Sequence, residues 1–308
     1  MKQTNKIRRE SHSGFHFFNL FQNCPRKFFI KYILRITTET TGSPLIFGAA
    51  FHEGKAVWYE TGNKNKALST AQFEVDDRKS EYEKYEEYER DSKKISILLD
   101  RWIEKFGRQD LKVFKFEAVE KQVEVEIPHT SGFKMTIRPD AIVTNTDGES
   151  FVLETKTSGF SPYVADKGVY YGDQATSYLY GAKKSYPNLN IQGVLPDIAY
   201  WNKKTFNEEN ITFMRGDLIY RNNRNLEEFA LGVANVVTTI SQSAKAYFDG
   251  KAPAAMLFPR NTSWCLSFSR PCEYADICRT NLETLRDDEL PVSFKRDNDW
   301  ENLGLKNI

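Results

Sequence analysis

The sequence predicts an α/β fold, a central mixed sheet flanked by helices, and three observations predict it. β-like runs rich in branched and aromatic residues recur at 116–128, 133–144, 150–156, 192–202 and 210–220. Helical spacing is plain in Ile95, Leu98, Leu99, Trp102, Ile103 and Phe106, and again in Leu226, Phe229, Val233, Val236, Val237 and Ile240. The two periodicities interleave along the chain, the arrangement that builds sheets covered by helices.

Taken in order, residues 48–61 read as a helix, and a helical insertion is expected over about 60–110. Within it the acidic tract Phe73–Asp91 reads as a solvated helix face. Residues 116–128 and 133–144 read as paired strands. Asn145-Thr146-Asp147-Gly148 is a turn signal, so Ser150–Lys156 returns as the second arm of an antiparallel hairpin. A helix carrying Gln174 follows, then the strands near 192–202 and 210–220, then a long amphipathic helix over 224–249. A cysteine-bearing segment, 265–278, closes one domain spanning 1–280, and 281–308 is a charged C-terminal extension.

Composition bounds the function. With 308 residues, 40% hydrophobic and 28% charged, the chain can bury one sizeable core. It has no run of about 18 apolar residues, so no membrane span is expected. Met1–Asn23 is charged and polar throughout, unlike a secretory signal, and the expected location is the cytoplasm of a prokaryotic or phage-infected cell. No internal repeat and no G-x4-G-K-[ST] pattern is present, so helicase or ATPase activity would have to come from a partner.

The net charge of +1 hides an asymmetry. Residues 1–36 carry eight Lys or Arg (Lys2, Lys6, Arg8, Arg9, Arg26, Lys27, Lys31, Arg35) against one acid, Glu10. Phe15, Phe17, Phe18 and Phe21 are interleaved with them. Such a segment suits a phosphate backbone with stacked bases, and equally a helix with a phenylalanine core side and a solvated basic face.

The residues with the most chemistry are Pro139-Asp140 and, fourteen positions after Asp140, Glu154-Thr155-Lys156. Strand alternation sends Glu154 and Lys156 to one face and Thr155 to the other. If the hairpin register brings Asp140 alongside, two carboxylates converge with an ammonium group beside them. Hard cations such as Mg²⁺ and Mn²⁺ take oxygen ligands and keep several waters, so this set is a candidate metal site. His52, in Phe47-Gly48-Ala49-Ala50-Phe51-His52, adds an imidazole, acceptable to Mn²⁺, at the start of its helix. Gln174 and Tyr178 stand four apart and share a helix face.

Cys24 lies near the N-terminus, whereas Cys265, Cys272 and Cys278 are spaced C-x6-C-x5-C near the C-terminus. In a reducing compartment this reads as thiolate ligation by all four, of a [4Fe-4S] cluster or a structural Zn²⁺. It would link the first 30 residues to the last 45 as a clasp on the fold.

The ordered set Asn23-Cys24-Pro25-Arg26-Lys27-Phe28, Gly48-Ala49-Ala50-Phe51-His52, Pro139-Asp140, Glu154-Thr155-Lys156, Gln174-x3-Tyr178 and the three late cysteines resembles the PD-(D/E)XK nucleases of the RecB-like branch. The likeness, over roughly residues 14–279, is to the iron-sulfur members, the CRISPR-associated RecB-like nucleases and the AddB nuclease domain. It implies a restriction-endonuclease-like core and a divalent-metal-dependent DNA nuclease, an exonuclease on single-stranded DNA or DNA ends. Recombination, repair, phage DNA processing or CRISPR adaptation would be its setting, with a helicase, recombinase or CRISPR integrase as partner. It implies metal binding by His52, Asp140, Glu154 and the Thr155 carbonyl, Lys156 as catalytic lysine, and Gln174 with Tyr178 supporting the site. The relatives usually space the first two late cysteines C-x2-C, whereas Cys265 and Cys272 here stand further apart. The alternative function is a non-catalytic nucleic-acid-binding or assembly subunit retaining the nuclease fold.

Overall fold

A computed structural model describes residues 13–159, 161–201, 210–267, 270–280, 282 and 286–296. Lys2, Lys6, Arg8 and Arg9 of the basic segment, and residues 281, 283–285 and 297–308 of the C-terminal extension, lie outside the described residues.

In chain order the structure begins with α1 (Phe15–Asn23), α2 (Pro25–Phe28) and β1 (Ile36–Thr38). Four helices follow: α3 (Ser43–Thr61), α4 (Lys64–Asp77), α5 (Tyr85–Trp102) and α6 (Arg108–Val113). Next come β2 (Phe114–Val119), β3 (Val123–Glu126), β4 (Lys134–Ile137), β5 (Ala141–Asn145) and β6 (Ser150–Ser158). Helices α7 (Pro162–Tyr171) and α8 (Asp173–Ser185) precede β7 (Ile191–Trp201) and β8 (Ile211–Arg215). The long helix α9 (Asn223–Phe248) leads to α10 (Ala254–Leu257), β9 (Leu266–Ser267), β10 (Arg270–Pro271), α11 (Ala275–Cys278) and β11 (Phe294–Arg296). No helix among the described residues is long and apolar enough to cross a membrane.

These elements form two compact units, one of residues 40–123 and 137–226, the other of 1–39, 124–136 and 227–308. The first is an α/β unit on a five-stranded mixed sheet of order β2-β5-β6-β7-β8, the fold class the sequence predicts. Only the β6–β7 pair is parallel. Side-chain alternation along β6 sorts its neighbours. Leu153, Thr155 and Thr157 face α3, whose Gly48 comes within 3.3 Å (as an added Cβ) of the Thr157 hydroxyl, and Leu153 joins Phe47, Ala50 and Phe51 in one apolar cluster. Glu154 and Lys156 take the opposite face, where α8 brings Gln174 to Lys156. Helices therefore cover both faces of the central strand.

Helix α3 is fixed at both ends. Pro44 occupies its first turn, and Gly62 closes it in the left-handed region at φ 61°, donating its N–H to the Trp58 carbonyl. At Gly54 the helix meets α4 and α5 so closely that a Cβ would strike Leu99 and Ala71. His52 therefore sits in the middle of a 19-residue helix rather than at the start of one, because the small run Gly48-Ala49-Ala50 lies inside it. The acidic tract is also less solvated than expected: Asp91 is buried and accepts from the Ser43 hydroxyl at 2.7 Å.

The expected pairing of 116–128 with 133–144 is present, but each run is broken into two strands. Strand β2 ends at Val119 and pairs with β5, while β3 and β4 pair separately. The cause is a break on each side: Glu120 takes a left-handed φ of 45°, and Pro139 has no N–H to extend a ladder.

In the second unit, Phe17, Phe18 and Phe21 of α1 are buried. Phe17 meets Phe28, Tyr32 and Phe133, and Phe21 meets Phe28 and Phe258, with ring centroids 4.9–6.4 Å apart. These rings are core, which overturns the base-stacking reading for them.

Candidate active site

The site is built where β5, β6 and the end of β2 meet, all within the α/β unit. Ala141 pairs with Leu153, which places Asp140 beside Glu154 just as the ladder of β5 begins. There the Asp140 side chain replaces a backbone partner, its Oδ2 accepting the Thr155 N–H at 2.5 Å. Its Oδ1 lies 2.8 Å from His52 Nδ1, one imidazole reaching down from α3. Glu120, missed in the sequence, completes the group: its Oε1 is 3.6 Å from the same nitrogen and its Oε2 3.3 Å from Arg138. The left-handed backbone at Glu120 turns the chain back there, its N–H donating to the Asp140 carbonyl at 3.0 Å.

His52, Glu120 and Asp140 bring three ligand atoms within 4.8 Å of one another, the one such group of His, Cys, Asp and Glu among the described residues. Two carboxylate oxygens and an imidazole are a donor set suited to Mn²⁺ or Mg²⁺. Glu154, placed by the sequence in the metal set, is ion-paired through one oxygen, its Oε1 lying 2.5 Å from Lys156 Nζ.

Lys156 continues a chain of contacts. Its ammonium donates to Gln174 Oε1 at 2.8 Å, and the Gln174 amide donates to the Tyr178 hydroxyl at 3.0 Å. Gln174 and Tyr178 lie one helical turn apart on α8, so the i, i+4 spacing legible in the sequence is what aligns them. Glu154, Lys156, Gln174 and Tyr178 thus form one continuous line of hydrogen bonds. Asp140 stands beside it, and the buried amide of Thr155 links the two.

The electrostatics divide the two carboxylates. Burial raises the Glu154 carboxyl, an effect that Lys156 partly offsets and Asp140 reinforces. Burial would raise Asp140 too, but His52, Lys55 and the Thr155 amide outweigh it and hold Asp140 well below the usual carboxylate range. Burial would lower His52, yet Asp140 and Glu120 push it up to about 10. Glu120 is raised by burial. Lys156 is raised because Glu154 overcomes the burial that would lower it. Tyr178 is held as a neutral phenol, first by burial and then by the carboxylates of Glu154 and Asp140.

Behind the site lies a second set of charges with no signature in the local sequence. The register Thr155↔Asp197 across the parallel pair puts both side chains on the face covered by α3. Lys55, one turn beyond His52, donates to Thr155 Oγ1 at 2.6 Å and to Asp197 Oδ2 at 2.5 Å, fully buried. Trp102 Nε1 donates to the same oxygen at 2.9 Å. Arg215 grips Asp110 with two bonds of 2.9 Å, the Tyr59 hydroxyl adds a third, and the Arg215 guanidinium lies 3.8 Å from Asp197.

The cysteines belong to the other unit. All four thiols are free. The segment around Cys24 is fastened to the late segment by the Asn261 amide on the Asn23 carbonyl (2.8 Å), the Arg26 N–H on the Pro259 carbonyl (3.1 Å) and a Lys27–Glu273 ion pair (2.8 Å). Cys272 N–H donates to the Cys265 carbonyl at 2.9 Å. Burial, together with the proximity of Cys24, raises the Cys272 and Cys278 thiols above the ordinary value.

Among solved structures, the chain is similar to SSO0001, at a TM-score of 0.28 and 16% identity over 69% of this chain and 82% of that one. It is also similar to LHK-Exo, solved in complex with dAMP, at a TM-score of 0.29 and 14% identity over 68% of this chain and 97% of that one. No curated protein matches the chain. A sequence profile of the PD-(D/E)XK nuclease superfamily matches residues 17–279, a span that takes in every candidate site residue described above and all four cysteines, and the chain belongs to that superfamily.

Proposed function

We propose that the protein is a divalent-metal-dependent deoxyribonuclease, an exonuclease acting on single-stranded DNA or DNA ends in recombination, repair, phage DNA processing or CRISPR adaptation. The observation that carries the reading is the unbroken line Glu154–Lys156–Gln174–Tyr178 beside the His52, Glu120 and Asp140 ligand group.

His52, Asp140, Glu154 and the Thr155 carbonyl would hold Mg²⁺ or Mn²⁺, with Glu120 at the edge of the set. When bound, such an ion lowers the pKa of a water and offsets charge on the scissile phosphate. The chain's own groups do the positioning. An ammonium has three N–H donors; Glu154 and Gln174 take two, so the third is aimed at the attacking water or a phosphate oxygen. Tyr178 fixes the Gln174 amide so that its oxygen, not its nitrogen, faces Lys156. The Thr155 N–H holds the Asp140 carboxylate in one orientation, which keeps its other oxygen toward His52.

Cys24, Cys265, Cys272 and Cys278 are read as ligands of a [4Fe-4S] cluster that clasps the second unit. The alternative is a single structural Zn²⁺ held by the same four thiolates.

An anaerobic preparation assayed on end-labelled single- and double-stranded DNA with Mg²⁺ or Mn²⁺ tests the reading. Progressive shortening from an end, abolished by chelation and by Lys156→Ala, is expected; cleavage that survives in Lys156→Ala overturns it.

A further inference from the structure

Helix α7 is the connection between the strand that carries Lys156 and the helix that carries Gln174. Its outer face is unusual for a surface helix. Tyr163 is 68% exposed, Tyr170 41% and Tyr171 77%, although large rings ordinarily turn inward. Tyr163, Lys167 and Tyr170 follow at i, i+4 and i+7, so they form one stripe on the helix. The Lys167 ammonium lies between the rings, 5.6 Å from the centroid of Tyr163 and 5.3 Å from that of Tyr170. Its neighbour Asp166 reaches Lys167 at 3.4 Å but turns inward against the Gly216 backbone, leaving the outer face to the rings and the cation.

The stripe is also tied to the catalytic helix. Arg221 donates to the Tyr170 carbonyl at 2.5 Å and to the Thr176 hydroxyl of α8 at 3.2 Å, and its guanidinium lies 5.6 Å from the Tyr170 ring. Thr176 is two residues from Gln174, so the platform and the lysine-positioning amide are held on one rigid piece.

We propose that the Tyr163–Lys167–Tyr170 stripe, with Tyr171 beside it, is a stacking platform for the unpaired bases of single-stranded DNA entering the active site. The proposal rests on the nuclease reading and deepens it by naming the substrate form. Tyrosine faces stack any base, and the interleaved lysine and arginine meet the phosphates between them. A face continuous with the helix of the catalytic line is where the strand leading to the scissile phosphate would run. Double-stranded DNA, whose bases are already stacked on each other, gains nothing from such rings.

The test compares two fluorescent strands of equal length and charge, a twelve-nucleotide thymidine strand and its abasic counterpart, binding the full chain in buffer without divalent ions. Wild-type protein should prefer the thymidine strand by at least about fivefold, the lower end of what one base–aromatic stack contributes. Tyr163→Ala with Tyr171→Ala should erase the preference while leaving abasic binding unchanged, and Tyr163→Phe with Tyr171→Phe should keep it. Equal affinity of wild-type protein for both strands overturns the proposal, as does a preference untouched by the alanine pair; either result leaves the face to a protein partner. Cleavage with Mn²⁺ is scored separately. Base-dependent binding by a protein that cleaves nothing supports the platform and sinks the nuclease reading alone. Cleavage with base-blind binding does the reverse.

Discussion

The two units hold their chemical groups by opposite means. In the α/β unit, Asp140, Glu154 and Lys156 are set by adjacent paired strands; Asp140 and Lys156 are each fixed by a hydrogen bond from another element, and Glu154 by its ion pair to Lys156. In the second unit, the three late cysteines lie on or beside two- to four-residue elements, and their segment is fastened to that of Cys24 by backbone and ion-pair contacts around the thiols rather than through them. A preorganised site loses chemistry when a residue is removed and keeps its shape. A site assembled from short segments depends on its ligand for its shape.

The largest effect should break the first half of that contrast. Asp140→Ala, Glu154→Ala and Lys156→Ala should each lower cleavage by at least about a thousandfold, about 4 kcal/mol of transition-state stabilisation. Because they act as a unit, the double variants should lose little more than the singles. Their circular dichroism and melting should stay near wild type, and a collapse of the fold in Lys156→Ala would show that the site is not preorganised.

Next in size is the buried charge pair. Asp197→Ala should destabilise the α/β unit by about 3–5 kcal/mol, since it strands the Lys55 ammonium in the core. Denaturant unfolding monitored by tryptophan fluorescence reads this directly, Trp102 being itself a partner of Asp197.

The cysteine unit sharpens the comparison from the other side. Cys24→Ser and Cys278→Ser should equally bleach the broad absorbance expected near about 400 nm and loosen that unit, leaving Mn²⁺ binding at His52, Glu120 and Asp140 unaffected. A bleached variant that keeps full resistance to limited proteolysis would remove the clasp.

The smallest effect is expected at Glu120. Glu120→Gln keeps the turn and should weaken Mn²⁺ binding by about 10–100-fold, the range typical of groups that support metal ligands, as read by titration calorimetry.

The contrast also explains what was legible in the sequence. The hairpin, the helix of Gln174 and Tyr178 and the long helix α9 follow local periodicity, and the Asp140, Glu154 and Lys156 spacing is a short-range pattern that the hairpin converts directly into proximity. Glu120, Lys55 and Asp197 carry no such pattern, because each finds its partner across tens of residues, through the pairing of β2 with β5 and of β6 with β7 and through α3 packing on the sheet. Phe17, Phe18 and Phe21 failed differently. Aromatic residues between basic ones describe a strand-binding segment and an amphipathic helix equally well, and only the rings of Phe28, Phe133 and Phe258 around them decide between the two.

The register that sets Thr155 opposite Asp197 also bears on how this molecule can change over generations. Lys55 and Asp197 are each costly to lose alone, yet a simultaneous exchange for apolar residues of similar volume, such as Lys55→Met with Asp197→Leu, is of the kind that cores tolerate or even prefer. Descendants of this chain would therefore keep both residues or replace both. The lineage crosses from one state to the other only where surplus stability carries it through the single-substitution valley, so the two positions should change as a linked pair while His52, one turn away on α3, stays fixed by its role at Asp140.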